Sequence, residues 1–221
     1  AATATFSDPT SALQLALLLE YIEKDFYLKA LESGVLQDYA KAESVYMQIS
    51  KHETAHVAVL QGALGDAAFD APKIDFTAGG NFDPFAQNGT DKATAYAQLL
   101  ALAQAFEDLG VRAYKGQATN VMSDPAILTV ALQIHSVEAR HASEIRRLRG
   151  LDGWITGNMR GEGMPFVTQA VYVNEENTTH GGVDVMTLGD GDPFTFDSST
   201  QAYDETLTLD DAGEIAALFL S

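Results

Sequence analysis

The chain has 221 residues, of which 46% are hydrophobic, enough to bury a sizeable core. Its formal net charge of −18 argues strongly against nucleic-acid binding, because no basic face exists to displace the counterions of phosphates. Cysteine is absent, which excludes disulfides, thiolate metal sites, iron–sulfur clusters and cysteine nucleophiles. No apolar run approaches the ~18 residues that a membrane span requires, so we expect no membrane span.

Apolar residues recur at helical intervals in four long segments, and caps and breakers bound each segment. We predict helices from Asp8-Pro9 to Gly34, from about Leu36 to Leu60, from Asp91 to about Ala118, and from Pro125 to Leu148. The links within the first pair and within the second pair are only a few residues long, whereas residues 63–91 show no period. Short links favour antiparallel hairpins, and the long one favours a crossover between the second and third helices. The sequence therefore predicts an all-α four-helix bundle at residues 8–150.

Residues 151–221 are different in composition, with Gly, Asp and Thr around short apolar stretches. We predict a turn at 189–192 and a short terminal helix from Asp210 to about Leu220. We interpret this segment as an irregular extension packed on the bundle, because its large aromatic side chains need burial. Those aromatic residues are Trp154, Phe166, Phe194 and Phe219. A small independent β-domain is the alternative.

One pattern occurs twice and carries the chemistry. Glu53-x-x-His56 and Glu138-x-x-His141 each follow a helix with a lone glutamate, which lies 33 and 31 positions earlier, respectively. Those glutamates are Glu20 and Glu107. Each is followed seven residues later by a tyrosine, namely Tyr27 or Tyr114.

The spacing of these residues suits a metal site. Residues three apart on an α-helix lie about 60° apart around the axis, so a Glu and a His in this relation reach one interior point. Four carboxylates in a core are very costly without compensation, and two divalent ions balance their charge. Mixed oxygen and imidazole ligands favour iron or manganese, with zinc still possible. We therefore predict two metal ions bound by Glu20, Glu53, His56, Glu107, Glu138 and His141.

The segment His52-Glu53-x-x-His56 also matches the zinc-protease signature, in which two histidines bind zinc and Glu is the base. No third ligand stands at the offsets that zinc proteases use. Asp75, another acidic residue downstream, lies in the irregular link. This interpretation also leaves the second Glu-x-x-His unexplained.

Other residues near the pattern have two interpretations each. Tyr27 and Tyr114 donate hydrogen bonds to ligating carboxylates or carry a radical near the metals, and the alternative to both is that they fill the core. Glu23 is either an extra ligand or part of a solvated or salt-bridged face, and we favour the second. His135 lies one turn before Glu138 and either reaches the site or is a satisfied structural histidine, which we favour.

The segments around the pattern resemble the ferritin-like-domain proteins over about residues 8–150, with most similarity to the desiccation-related, stress-induced branch. The segments are 19–23, 52–56, 106–114 and 138–142. This resemblance implies a ferritin-like bundle with a di-iron or di-manganese centre at the six residues named above. Many such bundles place an Asp before the Glu of Glu-x-x-His, to orient the histidine of the opposite helix. Here His52 and Val137 occupy those positions, and we expect Asp108 or another group to take that role.

Relatives in this superfamily span iron storage, peroxide reduction and manganese catalase. The expected function is a di-metal oxidoreductase of peroxidase or catalase type, acting on peroxide or dioxygen. The alternative is a non-enzymatic stress, desiccation or metal-storage protein. The extension of 71 residues favours a monomer or dimer over a closed cage. Residues 1–5 resemble the product side of a small-residue cleavage site, which predicts export to the periplasm or medium.

Overall fold

The structure, a computed structural model, describes residues 8–189 and 193–221. Four long helices are present: α1 Pro9–Glu32, α2 Ala40–Leu64, α3 Lys92–Gln117 and α4 Pro125–Leu148. Within the described ranges the only strands are β1 Thr179–His180 and β2 Val183–Asp184, which pair antiparallel. The all-α prediction is confirmed. Residues 1–5, on which the export prediction rests, and residues 190–192 of the predicted turn lie outside the described residues.

The starts of three helices follow directly from their aspartates. The side chains of Asp8, Asp91 and Asp124 accept hydrogen bonds from backbone N–H groups of the first turns of α1, α3 and α4. These caps satisfy donors that have no partner inside the helix. Proline at the first position of α1 and α4 adds a preset backbone angle where no hydrogen bond is lost.

The predicted bounds of α2 are wrong at both ends. Residues Val35–Asp38 form a 3₁₀ turn, and α2 begins only at Ala40. The helix then continues through Gly62 as far as Leu64, because an isolated glycine weakens a helix by only about 1 kcal/mol. Gly65, with φ of 52°, ends it.

The crossover between α2 and α3 is fixed by the end of the chain. Ile74 forms an isolated antiparallel bridge with Leu220, and the Asp75 N–H donates to the Phe219 carbonyl at 2.7 Å. Three crossover phenylalanines enter the main core, namely Phe76, Phe82 and Phe85. The long link is therefore ordered by packing. Among residues 8–189 and 193–221, none of the helices has the length and apolar character needed to cross a membrane.

Residues 151–221 add two short helices, α5 Phe196–Gln201 and α6 Leu209–Ala217. The expectation that the four large aromatic residues of this segment are buried is wrong for three of them. Phe219 is 4% exposed and packs edge-on against Phe106, whereas Trp154, Phe166 and Phe194 are 47%, 79% and 51% exposed. Single large apolar side chains at the surface are ordinary in folded proteins, and polar contacts attach this segment to the bundle.

Those polar contacts converge on Arg112 of α3, which is fully buried. Its guanidinium pairs with the Glu175 carboxylate at 2.7 Å and donates to backbone carbonyls of the extension. The carbonyls belong to Val171, Val173, Glu205 and Thr206. One turn along, a Cβ on Gly116 would lie 1.8 Å from the Leu207 carbonyl oxygen, so only glycine allows this approach. The division into a bundle, 8–150, and an extension, 151–221, remains a prediction.

Replacing this buried arginine tests how the extension is held. We expect Arg112→Met to reduce the free energy of unfolding by about 3–5 kcal/mol, because it leaves the Glu175 carboxylate buried without its partner. Urea unfolding and limited proteolysis measure the effect, with early cleavage expected within residues 165–210. The control is Arg140→Met on the exposed face of α4. Equal stability of the two variants would contradict this role for Arg112.

Candidate metal centre

The six predicted ligands face one another at mid-height in the bundle. Glu20 lies on α1, Glu53 and His56 on α2, Glu107 on α3, and Glu138 and His141 on α4. All four glutamates are completely buried, while His56 and His141 are 9% and 5% exposed. The structure therefore brings together every residue of the predicted set, although metal binding by each of them remains a prediction.

The donor atoms form two overlapping groups. The first comprises Glu20, Glu53, His56 and Glu138, and the second comprises Glu53, Glu107, Glu138 and His141. Within each group the donor atoms lie within 4.8 Å of one another. Opposite donors around an octahedral ion at ~2.1 Å lie about 4.2 Å apart, so small side-chain shifts suffice to enclose an ion. Glu53 and Glu138 belong to both groups, so these two carboxylates would serve both ions, and one further Glu and one His would complete each site.

The imidazoles each face several carboxylates. Nδ1 of His56 lies 3.2 Å from Glu20 Oε2, 2.9 Å from Glu53 Oε2 and 3.3 Å from Glu138 Oε1. Nδ1 of His141 lies 3.0 Å from Glu53 Oε1 and 3.2 Å from Glu107 Oε2. One N–H cannot satisfy three acceptors, whereas a cation in the same space can bind them all.

Unpartnered oxygens show that the residues fit a metal. Both oxygens of Glu138 and Oε1 of Glu53 are buried without a hydrogen-bond partner in the described part of the chain. A buried carboxylate oxygen without a partner is strongly destabilising. Divalent cations satisfy such oxygens directly, and the set of carboxylates with one imidazole per ion suits iron or manganese.

Burial changes the protonation of the metal-free centre. It raises the pKa of Glu20 to about 8, and with the neighbouring carboxylates it raises the pKa of Glu138 well above its usual range. Burial alone would also raise the pKa of Glu53, but the imidazoles of His141 and His56, at 3.0 and 2.9 Å, lower it to about 2. The metal-free protein therefore replaces the missing positive charge with protons.

Two tyrosines hold the terminal glutamates. The Tyr114 hydroxyl on α3 donates to Glu20 Oε1 on α1 at 2.5 Å, and the Tyr27 hydroxyl on α1 donates to Glu107 Oε1 on α3. Helices α1 and α3 thus each position the terminal glutamate of the other through a tyrosine. The predicted role of these tyrosines as hydrogen-bond donors is confirmed, and it explains the repeated seven-residue spacing.

Glu23 is buried beside the centre, so the expectation of a solvated face is wrong. It is 2% exposed, and its Oε2 has no hydrogen-bond partner among the described residues. A Cβ on Gly110 would lie 3.2 Å from Glu23 Oε1 and 3.1 Å from Glu138 Oε2. Glu23 and Gly110 occupy equivalent positions, three residues after Glu20 and Glu107. Because Gly110 has no side chain, it leaves room for the Glu23 carboxylate beside the six predicted ligands.

His52 contacts the ligand set from outside. Its Nδ1 lies 2.9 Å from Nε2 of His141, and its Nε2 lies 2.8 Å from Nε2 of Gln48. The imidazole of His141 is thereby oriented with Nδ1 toward the carboxylates. Val137, the equivalent residue on α4, has no polar side-chain atom and cannot do the same for His56. The centre is therefore asymmetric beyond its ligands.

Two other expectations about individual residues have clear outcomes. Asp108 does not orient an imidazole; its carboxylate accepts from Arg146 at 2.5 Å and from the Tyr172 hydroxyl at 2.7 Å. His135 belongs to neither donor group.

His52 also lies outside both groups, so the zinc-protease interpretation lacks its second imidazole. The position of His52 one residue before Glu53 is the sequence signal that identifies it as an orienting residue.

Removing the His52 imidazole is expected to weaken one metal position selectively. In His52→Ala, His141 loses its outer hydrogen bond, and we expect about 10–100-fold weaker binding at the position that includes Glu107 and His141. Calorimetric titration with Mn²⁺ measures the two binding steps. The control is Val137→Ala, which removes no polar contact. Unchanged binding, or equal weakening of both steps, would rule out this orienting role.

The stability of the metal-free protein is expected to fall as pH rises. Folding raises the pKa of Glu20 from 4.5 to about 8. A group with a raised pKa in the folded state contributes stability that is fully present below its unfolded pKa. This contribution is lost as the pH rises through the folded pKa. For His56, the carboxylates of Glu138, Glu20 and Glu53, all within 3.3 Å of Nδ1, outweigh burial and raise the pKa from 6.5 to about 12, which acts in the same direction at higher pH.

Urea unfolding between about pH 5 and about pH 8 tests this dependence, with a chelator in one series and Mn²⁺ in the other. We expect a decline in the chelator series and a shallower one with Mn²⁺. In the matched variant Glu23→Gln, position 23 is neutral at every pH. Its free energy of unfolding should therefore also decline less as the pH rises. A metal-free protein that becomes more stable toward pH 8 would refute the pKa directions given above.

The geometry agrees with a comparison of the chain with known families. The sequence model of the family described as "Ferritin-like domain" matches residues 8–151, which is more than half of the chain. A comparison with curated proteins finds no significant match. The matched segment contains all four long helices and all six residues of the two donor groups. The chain belongs to the ferritin-like domain family.

Proposed function

We propose that this protein binds two iron or manganese ions and acts on peroxide or dioxygen as an oxidoreductase of peroxidase or catalase type. The observation that carries the proposal is the pair of donor groups that share Glu53 and Glu138. A pair of redox-active metals bound there supplies two-electron chemistry on a small oxidant. No separate nucleophile is needed for this chemistry.

The residues of the chain would hold the centre and control its protons. Tyr114 and Tyr27 each occupy one oxygen of a terminal glutamate, which leaves Oε2 of Glu20 and of Glu107 directed at the imidazoles. Burial and the neighbouring carboxylates raise the pKa of Glu23 well above its usual range, which favours a protonated carboxyl at this point of the metal-free protein.

The closed environment of the centre favours a second candidate function. The four glutamates are fully buried, and the two histidines are at most 9% exposed. Such enclosure suits a metal that stabilises the bundle, as in a non-enzymatic stress, desiccation or metal-storage protein. Export, the desiccation-related branch and a monomeric or dimeric state remain predictions.

Metal content of site variants tests the assignment of ligands. We expect two equivalents of iron or manganese in the wild type, loss of both in Glu53→Gln with Glu138→Gln, and loss of about one in Glu20→Gln, because the shared carboxylates serve both ions. The control Glu144→Gln changes a partly exposed glutamate on α4 and should retain both. Unchanged metal content in the double variant would show that the ligands are wrong.

Peroxide consumption separates the two candidate functions. The metal-loaded wild type should consume hydrogen peroxide, and the double variant should not. A protein with two bound metals and no activity toward peroxide or dioxygen would favour the stabilising role.

A further inference from the structure

An apolar crevice lies at the end of the bundle where α1 and α4 begin and α2 and α3 end. It encloses about 570 Å³ of space, including its opening to solvent, and side chains of all four helices line it. Ala63 of α2 and Ala131 of α4 lie on its walls, and their small side chains leave the space between these helices open.

The crevice contains a buried polar group without a partner. Gln117 lines it and is 7% exposed, and its Nε2 has no hydrogen-bond partner in the described structure. The other end of this amide is occupied, because Oε1 accepts from Asn120 Nδ2 at 2.7 Å. An unpaired buried N–H donor is unfavourable, and a ligand oxygen that accepts from it would remove this cost.

The remaining lining defines the chemistry of a ligand. Apart from Gln117 and Tyr114, the described residues around the crevice have apolar side chains, and none of them is charged. A carboxylate or phosphate would enter without a cation to pair with, in a protein of net charge −18. The lining therefore favours a neutral molecule with an apolar chain and one oxygen acceptor.

The inner wall connects the crevice to the candidate metal centre. The ring of Tyr114 lines the crevice, and its hydroxyl donates to Glu20 Oε1 at 2.5 Å. A molecule in the crevice therefore contacts a side chain that holds a predicted metal ligand.

We propose that the crevice binds a neutral, chain-like apolar molecule, such as a medium-chain alcohol or aldehyde, with its oxygen at Gln117 Nε2 and its chain against Tyr114. The binding itself requires no metal. Its influence on the centre through Tyr114 rests on the function proposed above.

Titration of the metal-free protein with 1-nonanol, nonane and nonanoate, followed by amide NMR shifts, tests the binding. We expect nonanol to bind most tightly and nonanoate least. Gln117→Leu should weaken nonanol binding about 2–12-fold and leave nonane binding unchanged, since only the alcohol loses a hydrogen bond.

Two substitutions that fill the crevice from opposite walls, Ala131→Trp and Ala63→Phe, should abolish binding. The control Leu132→Trp introduces the same side chain beside Ala131, at a 49% exposed position outside the crevice, and should bind normally.

Absence of nonanol binding, or equal binding by Ala131→Trp and Leu132→Trp, would overturn the proposal. So would a wild-type dimer that Ala131→Trp dissociates and that binds no alcohol, because the crevice would then be a subunit interface. Nonanol should also change the optical spectrum of the metal-loaded protein. Binding without a spectral change would overturn the link through Tyr114 alone, and a protein that binds nonanol but no metal would overturn the proposed function alone.

Discussion

The burial of acidic side chains in one core is the constraint on which the rest of the structure depends. Five glutamates, 20, 23, 53, 107 and 138, lie at most 2% exposed around two histidines. Coulomb repulsion between carboxylates in a low dielectric would drive such a core apart without compensation. Protons offset part of this charge in the metal-free protein, and cations would offset it more completely because they also satisfy the unpartnered oxygens of Glu138.

The helices form a frame that keeps these groups in place. Tyr27 and Tyr114 cross between α1 and α3, so that each helix fixes the terminal glutamate of the other. On α2, His52 reaches across to His141 of α4. The two halves nevertheless differ, since Glu23 on α1 faces the space left by Gly110 on α3. We therefore infer a centre with two unequal metal positions.

Much of the fold and of the candidate centre could be predicted because the signals are local. The aspartate caps fix the starts of α1, α3 and α4, and the three-residue spacing of Glu and His fixes their shared helix face. That spacing, together with one glutamate on each preceding helix, predicts the six candidate ligands that the structure brings together. The start of α2 could not be predicted, because the 3₁₀ turn at Val35–Asp38 depends on tertiary packing.

Long-range contacts account for what the sequence did not reveal. Arg112 holds carbonyl groups about 59–94 positions away, and no sequence pattern announces such an anchor. The burial of Glu23 depends on Gly110 of another helix, and a solvated face was the expectation from its own helix alone.

Anomalous X-ray diffraction from crystals of the manganese-loaded protein tests the central claim most directly. The account predicts two anomalous peaks between α1, α2, α3 and α4, about 3.5–4 Å apart, with Glu53 and Glu138 contacting both. No peak in this core, or a single ion bound elsewhere while these carboxylates stay buried and protonated, would contradict it.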